Sequence, residues 1–225
     1  VKKVRAEADM TKGSIIKCIA LFTLPLLAGN FFQQLYNMVD TWVIGQTGDA
    51  GAYSAVGSVG PITNIYIGLF SGLASGAGVV ISQYFGANDN EKLSKTVHTS
   101  ALITIILSVV FTAVSLLLTP LMLQLMLRTT EGEIYPAAQT YLLIYFSGTV
   151  FTLVYNMGAA ILRAVGDSKR PFYYLAVAAV INTVLDLVFV FNFDMGVAGV
   201  AYATIIAQAV SAILTVITLL KTRLC

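Results

Sequence analysis

Two carboxylates, Asp40 and Asp186, stand inside long apolar runs of this 225-residue sequence. An Asp at the centre of a membrane-spanning helix costs about 2.5–3.5 kcal/mol on insertion scales, so something must offset it. Asn30, Gln33, Asn37 and Asp40 are spaced 3, 4 and 3 apart, a spacing expected to put four polar residues on one helical face. Tyr36 lies four residues before Asp40. Asn182 and Asp186 are an i, i+4 pair, and Thr204 and Gln208 repeat that spacing further along. Tyr141, Tyr145, Thr149, Thr152 and Asn156 make a broken stripe. Together these groups supply only oxygen ligands and hydrogen-bond donors, which suits a hard cation or a shared proton. Two close carboxylates in a low-dielectric medium cannot comfortably both ionise without a cation. Protonation or cation binding would change how the helices carrying them pack, and that is the physical basis of ion-coupled transport.

The elements that must position these residues follow from composition. The chain is 57% hydrophobic and 11% charged, against roughly 25% charged in soluble domains. That balance excludes intrinsic disorder, a basic nucleic-acid-binding surface and an ordinary water-soluble globule. The two cysteines, Cys18 and Cys225, and the single His98 exclude a disulfide scaffold and a Cys- or His-rich metal centre. What remains is an all-α, integral membrane protein. Six candidate spans fall at 14–44, 52–83, 95–127, 134–163, 170–193 and 196–221. Together they form a membrane lobe over 14–221, with a cytoplasmic tail at 1–13 and a cytoplasmic end at 222–225. Pro25 and Pro120 lie inside their spans and are expected to bend them. Pro136 and Pro171 sit at first-turn positions, and Asp167 or Ser168 is placed to cap the fifth span. Gly68, Gly72 and Gly76 form a four-residue row expected to serve as a packing seam.

Charge sets the orientation. With the N-terminus in the cytoplasm, Lys2, Lys3, Arg5, Lys12, Lys17, Lys92, Lys95, Arg163, Lys169, Arg170, Lys221 and Arg223 are all cytoplasmic, and of the 13 Lys and Arg only Arg128 is outside. Asp49, Glu131, Glu133 and Asp194 fall in the outer loops. In this topology Asp40, Asp186 and Thr204 lie roughly 6, 10 and 12 Å below the outer surface, so they can meet at one level. His98 is expected at the surface near the start of the third span. The chain opens on Val1 rather than Met and stops just after an apolar run, as expected of a piece of a longer protein.

Several segments, in order, resemble one family. They are Pro25 followed by Gln33-Gln34-Leu35-Tyr36-Asn37-Met38-Val39-Asp40, the loop from Gln83 to Asp89, the turn from Arg163 to Pro171, Asn182 with Asp186, and Gly199 to Gln208 containing Thr204. The family is that of the multidrug and toxic compound extrusion transporters, and the likeness is to their N-terminal six-helix lobe. The resemblance implies antiport, in which an entering sodium ion or proton exchanges for an amphipathic, often cationic, organic compound. It implies that Asp40, Asn182, Asp186 and Thr204 bind the cation or proton (the metal being sodium if sodium is the coupling ion). Tyr141 and Asn156 would stand behind them, and Gln33, Gln34, Tyr36 and Asn37 would line the substrate cavity. No cofactor is implied beyond that ion. The implied partners are membrane lipid, small organic substrates and a second six-helix lobe, with no nucleic acid; the implied location is the plasma (inner) membrane, multi-pass. The departure is length, since there is room here for one lobe only. A relative that flips lipid-linked sugars would need basic residues inside the cavity, and spans one, two, five and six hold none away from their cytoplasmic ends. A non-transporting assembly subunit would tolerate loss of both carboxylates. No motif of hydrolase, metalloprotease or phosphate-binding chemistry supports an enzyme.

Overall fold

The computed structural model describes residues 14–127, 132 and 134–222, with the backbone alone for Ile15. The tail 1–13, Arg128, Glu131, Glu133 and the last residues 223–225 lie outside the described residues, so the charges expected there are not placed. The described chain is helical: α1 Ile15–Gly45, α2 Ala50–Gly86, α3 Asn90–Leu127, α4 Ile134–Ser147, α5 Thr149–Ala164, α6 Lys169–Leu187 and α7 Gly196–Lys221. A π-helical turn, Val188–Asn192, continues α6. Five of these segments are long and apolar enough to cross a membrane, and α4 with α5 makes a sixth that is bent by 49°.

That bend differs from the expected sites. Pro25, Pro61 and Pro120 all lie within continuous helices, whereas the break falls at Gly148 between α4 and α5. A Cβ at Gly148 would collide with the Ile205 side chain of α7, so the elbow is pressed against its neighbour. Gly158 stands in the same relation to Thr215, and a side chain there would hold α5 off α7. Small residues thus let α5 and α7 approach closely, as the packing of helices in lipid requires.

Helix α7 lies at the centre, packed against α4, α5, α6 and the π-turn, while α1 leans chiefly on α6. Half of the best spanning window of α7 is buried, against 6% for α1. One apolar cluster joins α2, α3, α4 and α7 around Tyr66, Phe70, Phe111 and Phe146. Tyr66 and Phe70 stack edge-on at 4.9 Å, and the Tyr66 hydroxyl donates to Phe111 O at 2.9 Å. The Gly68, Gly72, Gly76 row does not meet a helix of this lobe: a Cβ on any of the three would find nothing within 4 Å.

The end that carries the basic residues is firmly tied. Tyr155 of α5 donates to Pro171 O of α6 at 3.1 Å, and the Tyr174 and Thr218 hydroxyls join α6 to α7 at 2.5 Å. Asp89 accepts from Lys92 N at 3.1 Å and pairs with its ammonium at 3.1 Å. Those bonds hold the Asp89 carboxyl below the usual carboxylate range. His98 sits on the surface with its Nδ1 beside Ser94 O at 2.8 Å. Of the two candidate caps for α6, Ser168 makes no side-chain cap bond, while Asp167 accepts from Arg170 N at 3.1 Å and pairs with Arg170 Nε at 3.3 Å. Asp167→Ala is therefore expected to cost about 0.5–2 kcal/mol. Hydrogen exchange should show the loss as faster exchange in the first turn of α6, with Ser168→Ala leaving that turn unchanged.

Candidate functional site

Along α1 the polar residues divide between two faces. A helix advances about 100° per residue, which puts Asn37 roughly 60° round from Asp40. Tyr36 and Asp40 point into the lobe, at 5% and 4% exposure. Asn30, Gln34 and Asn37 are exposed, and Gln33 is half-buried between the two sets. The expected single stripe is thus an inner column of Gln33, Tyr36 and Asp40 beside an outer one of Asn30, Gln34 and Asn37.

The inner column meets α6 and α7. Asn182 and Asp186, on the buried face of α6, are 1% and 0% exposed, and Thr204 of α7 is 6% exposed. Asn182 Nδ2 donates to Thr204 Oγ1 at 3.4 Å. The Thr204 hydroxyl faces two acceptors, Val200 O at 3.0 Å and Asp40 Oδ2 at 3.4 Å. One proton cannot serve both well, and the shorter, intrahelical contact takes it. The Asp186 and Asp40 carboxyls belong to the same buried cluster, and two such groups attract only when a proton or cation lies between them. Asp40 Oδ1, both Asp186 oxygens and Asn182 Oδ1 are buried without any donor. The cluster is a set of acceptors short of positive charge. Its chemistry fits a hard monovalent cation, held by Asp40, Asp186, Asn182 Oδ1 and Thr204 Oγ1, or a proton shared by the two carboxyls. Among the described residues no three His, Cys, Asp or Glu come together.

Of the residues expected behind the cluster, Tyr141 is buried in the apolar core and stacked on Tyr145 with centroids 6.0 Å apart. Asn156 is not drawn in: its Nδ2 turns back to Thr152 O at 2.8 Å. Of the residues expected at a substrate cavity, Gln34 and Asn37 line an open groove of about 630 Å³ with Met38, Thr41, Trp42, Gly45, Gln46 and Tyr53. Tyr36 instead lies inside the lobe, where its hydroxyl accepts from Gln208 Nε2 at 3.3 Å. Gln208 is the residue that sequence reasoning left outside the site. Its i, i+4 relation to Thr204 was the available signal.

Asp186 owes its position to the end of α6. The π-turn that follows it widens the helix, and Met195 N donates back to Phe189 O at 3.0 Å. Gly199 of α7 lies directly beneath: a Cβ there would stand 3.0 Å from Phe189 Cβ and 3.3 Å from its backbone carbon. Gly199→Val should force the turn away from α7 and destabilise the protein by about 1–3 kcal/mol. The thermal midpoint of the protein in detergent reads this, and an unchanged midpoint would mean that the turn yields freely.

The family model for MatE matches residues 25–188. The "Probable multidrug resistance protein YpnP" of Bacillus subtilis is 36% identical over 203 residues, covering 90% of this chain and 45% of that protein. The "Multidrug export protein MepA" of Staphylococcus saprophyticus is 26% identical, covering 93% and 46%. Among solved structures, a MOP superfamily transporter from Pyrococcus furiosus superposes with a TM-score of 0.87 at 27% identity, covering 97% of this chain and 47% of its own. A MATE in the bent conformation gives the same values. The chain spans about half the length of the curated relatives it matches. It is an all-helical, multi-pass membrane bundle that corresponds to half of a solved MATE structure. On the family match over most of its length, the chain belongs to the MatE family, the multidrug and toxic compound extrusion transporters.

Proposed function

We propose that this lobe is the cation-binding half of an antiporter that exports amphipathic, often cationic, organic compounds in exchange for an entering sodium ion or proton. The observation that carries the reading is the group of buried, donor-less oxygens on Asp40, Asn182 and Asp186. Such atoms are costly to bury unless something positive satisfies them. The names of the relatives, multidrug resistance and multidrug export proteins, supply the class of cargo. Asp40 belongs to α1, Asn182 and Asp186 to α6, and Thr204 to α7. A cation among them draws three helices together, and its departure leaves two carboxylates to repel. A ligand shifts such an equilibrium by its differential affinity for the two packings.

The groove around Gln34, Asn37, Trp42 and Tyr53 supplies apolar and aromatic walls with a few amides, a lining suited to lipophilic cations of many shapes. It opens on the outer column of α1. We assign that side to the second six-helix lobe, with the substrate between the two halves. Both ends of this segment face the cytoplasm in the plasma (inner) membrane, on the distribution of Lys and Arg in the sequence.

Vesicles carrying this lobe together with a second six-helix lobe test the reading by efflux of a fluorescent lipophilic cation under separately imposed sodium and pH gradients. Asp40→Asn and Asp186→Asn should each slow efflux about tenfold or more, the equivalent of ~1.4 kcal/mol. The gradient that drives the unmodified protein identifies the ion. Efflux at the original rate in both variants would overturn the assignment.

A further inference from the structure

We infer that Tyr36 and Gln208 form a second, uncharged station for a monovalent metal cation, one helical turn below the carboxylate cluster. This rests on the reading of that cluster as a cation site. The first and sixth spans run in opposite directions, and their polar residues match in that sense. Asp40 stands opposite Thr204 at 3.4 Å, and four residues back on α1 and four forward on α7, Tyr36 stands opposite Gln208 at 3.3 Å. The two rungs are ~6 Å apart along the helices.

The lower rung has the same imbalance as the upper one. Gln208 is 7% exposed, its Nε2 is spent on the Tyr36 hydroxyl, and its Oε1 is buried without a donor. That oxygen and the phenolic oxygen beside it are neutral ligands. They hold a cation less firmly than two carboxylates do, as a point of passage requires: attractive enough to enter, weak enough to leave.

What lies around the rung gives the passage a direction. Deeper on α7, Ser211 and Thr215 are fully buried and donate to their own backbone, to Gln208 O at 2.9 Å and Ser211 O at 2.8 Å. Thr215 is moreover wedged against Gly158. The polar way therefore closes along α7. It stays open sideways past Gln33, which is half-buried three residues before Tyr36 on α1. A cation leaving the carboxylates would pass Tyr36 and Gln208 and emerge at the outer column of α1.

Crystals of the protein soaked in a thallium(I) salt test this by anomalous difference maps. Two peaks are expected, one among Asp40, Asn182, Asp186 and Thr204 and one against Gln208 Oε1 and Tyr36 Oη. Gln208→Met, similar in volume, should erase the second and keep the first. A peak at the carboxylates alone in the unmodified protein overturns the second station and leaves the proposed function standing. It would mean that the amide is turned over, with Tyr36 donating to Oε1. No peak at either place likewise overturns the second station, and it restricts the carboxylate cluster to the shared proton.

Discussion

Everything in this lobe is arranged around buried oxygen atoms that lack hydrogen. A membrane interior offers no water to correct a local shortage of donors, so each such atom must be satisfied by protein or by something carried in. Here the protein declines to do so. Thr204 spends its hydrogen on its own helix, Asn182 turns its nitrogen to Thr204, and Asp40 Oδ1 and both Asp186 oxygens find no donor. The shortage is shared among α1, α6 and α7, and under the proposed function a positive charge held there couples their packing.

The rest of the fold gives that coupling a stiff frame. Helix α7 is enclosed on most sides and bears Thr204 and Gln208 on its buried face. Glycines at 148, 158 and 199 bring α4, α5 and the π-turn so close to it that its own placement has little freedom. The aromatic knot of Tyr66, Phe70, Phe111 and Phe146 secures α2 and α3 to the same frame. Helix α1 is different, since it is held mainly along α6. The contact of Asp40 with Thr204 therefore joins the most loosely held helix to the most tightly held one.

Much of this was legible in the sequence, because hydropathy and charge act over tens of residues. The number of spans came from apolar length, and the convergence of Asp40, Asn182, Asp186 and Thr204 from i, i+4 spacing with matched depths. The division of the α1 residues was not legible. Asn37 and Tyr36 differ by a single position, and only the place of α6 and α7 decides which turns inward. The elbow at Gly148 was missed for a related reason. Proline advertises a bend by its missing N–H, whereas the pair Ser147-Gly148 gives a weaker signal, and only the packed structure shows Ile205 pressed against it. The π-turn after α6 has no spacing signature, and the close seat of Phe189 on Gly199 is visible only once α6 and α7 are packed.

The hydroxyl ties at the basic end acquire a meaning when set beside the charged cluster. Tyr155 to Pro171 and Tyr174 to Thr218 clasp α5, α6 and α7 at one extremity, and the carboxylates sit towards the other. At that other extremity α6 and α7 are joined again, through the π-turn and Met195. Repulsion at the carboxylates is therefore left to act on α1, which becomes a hinged cover over a framework that is riveted at both ends.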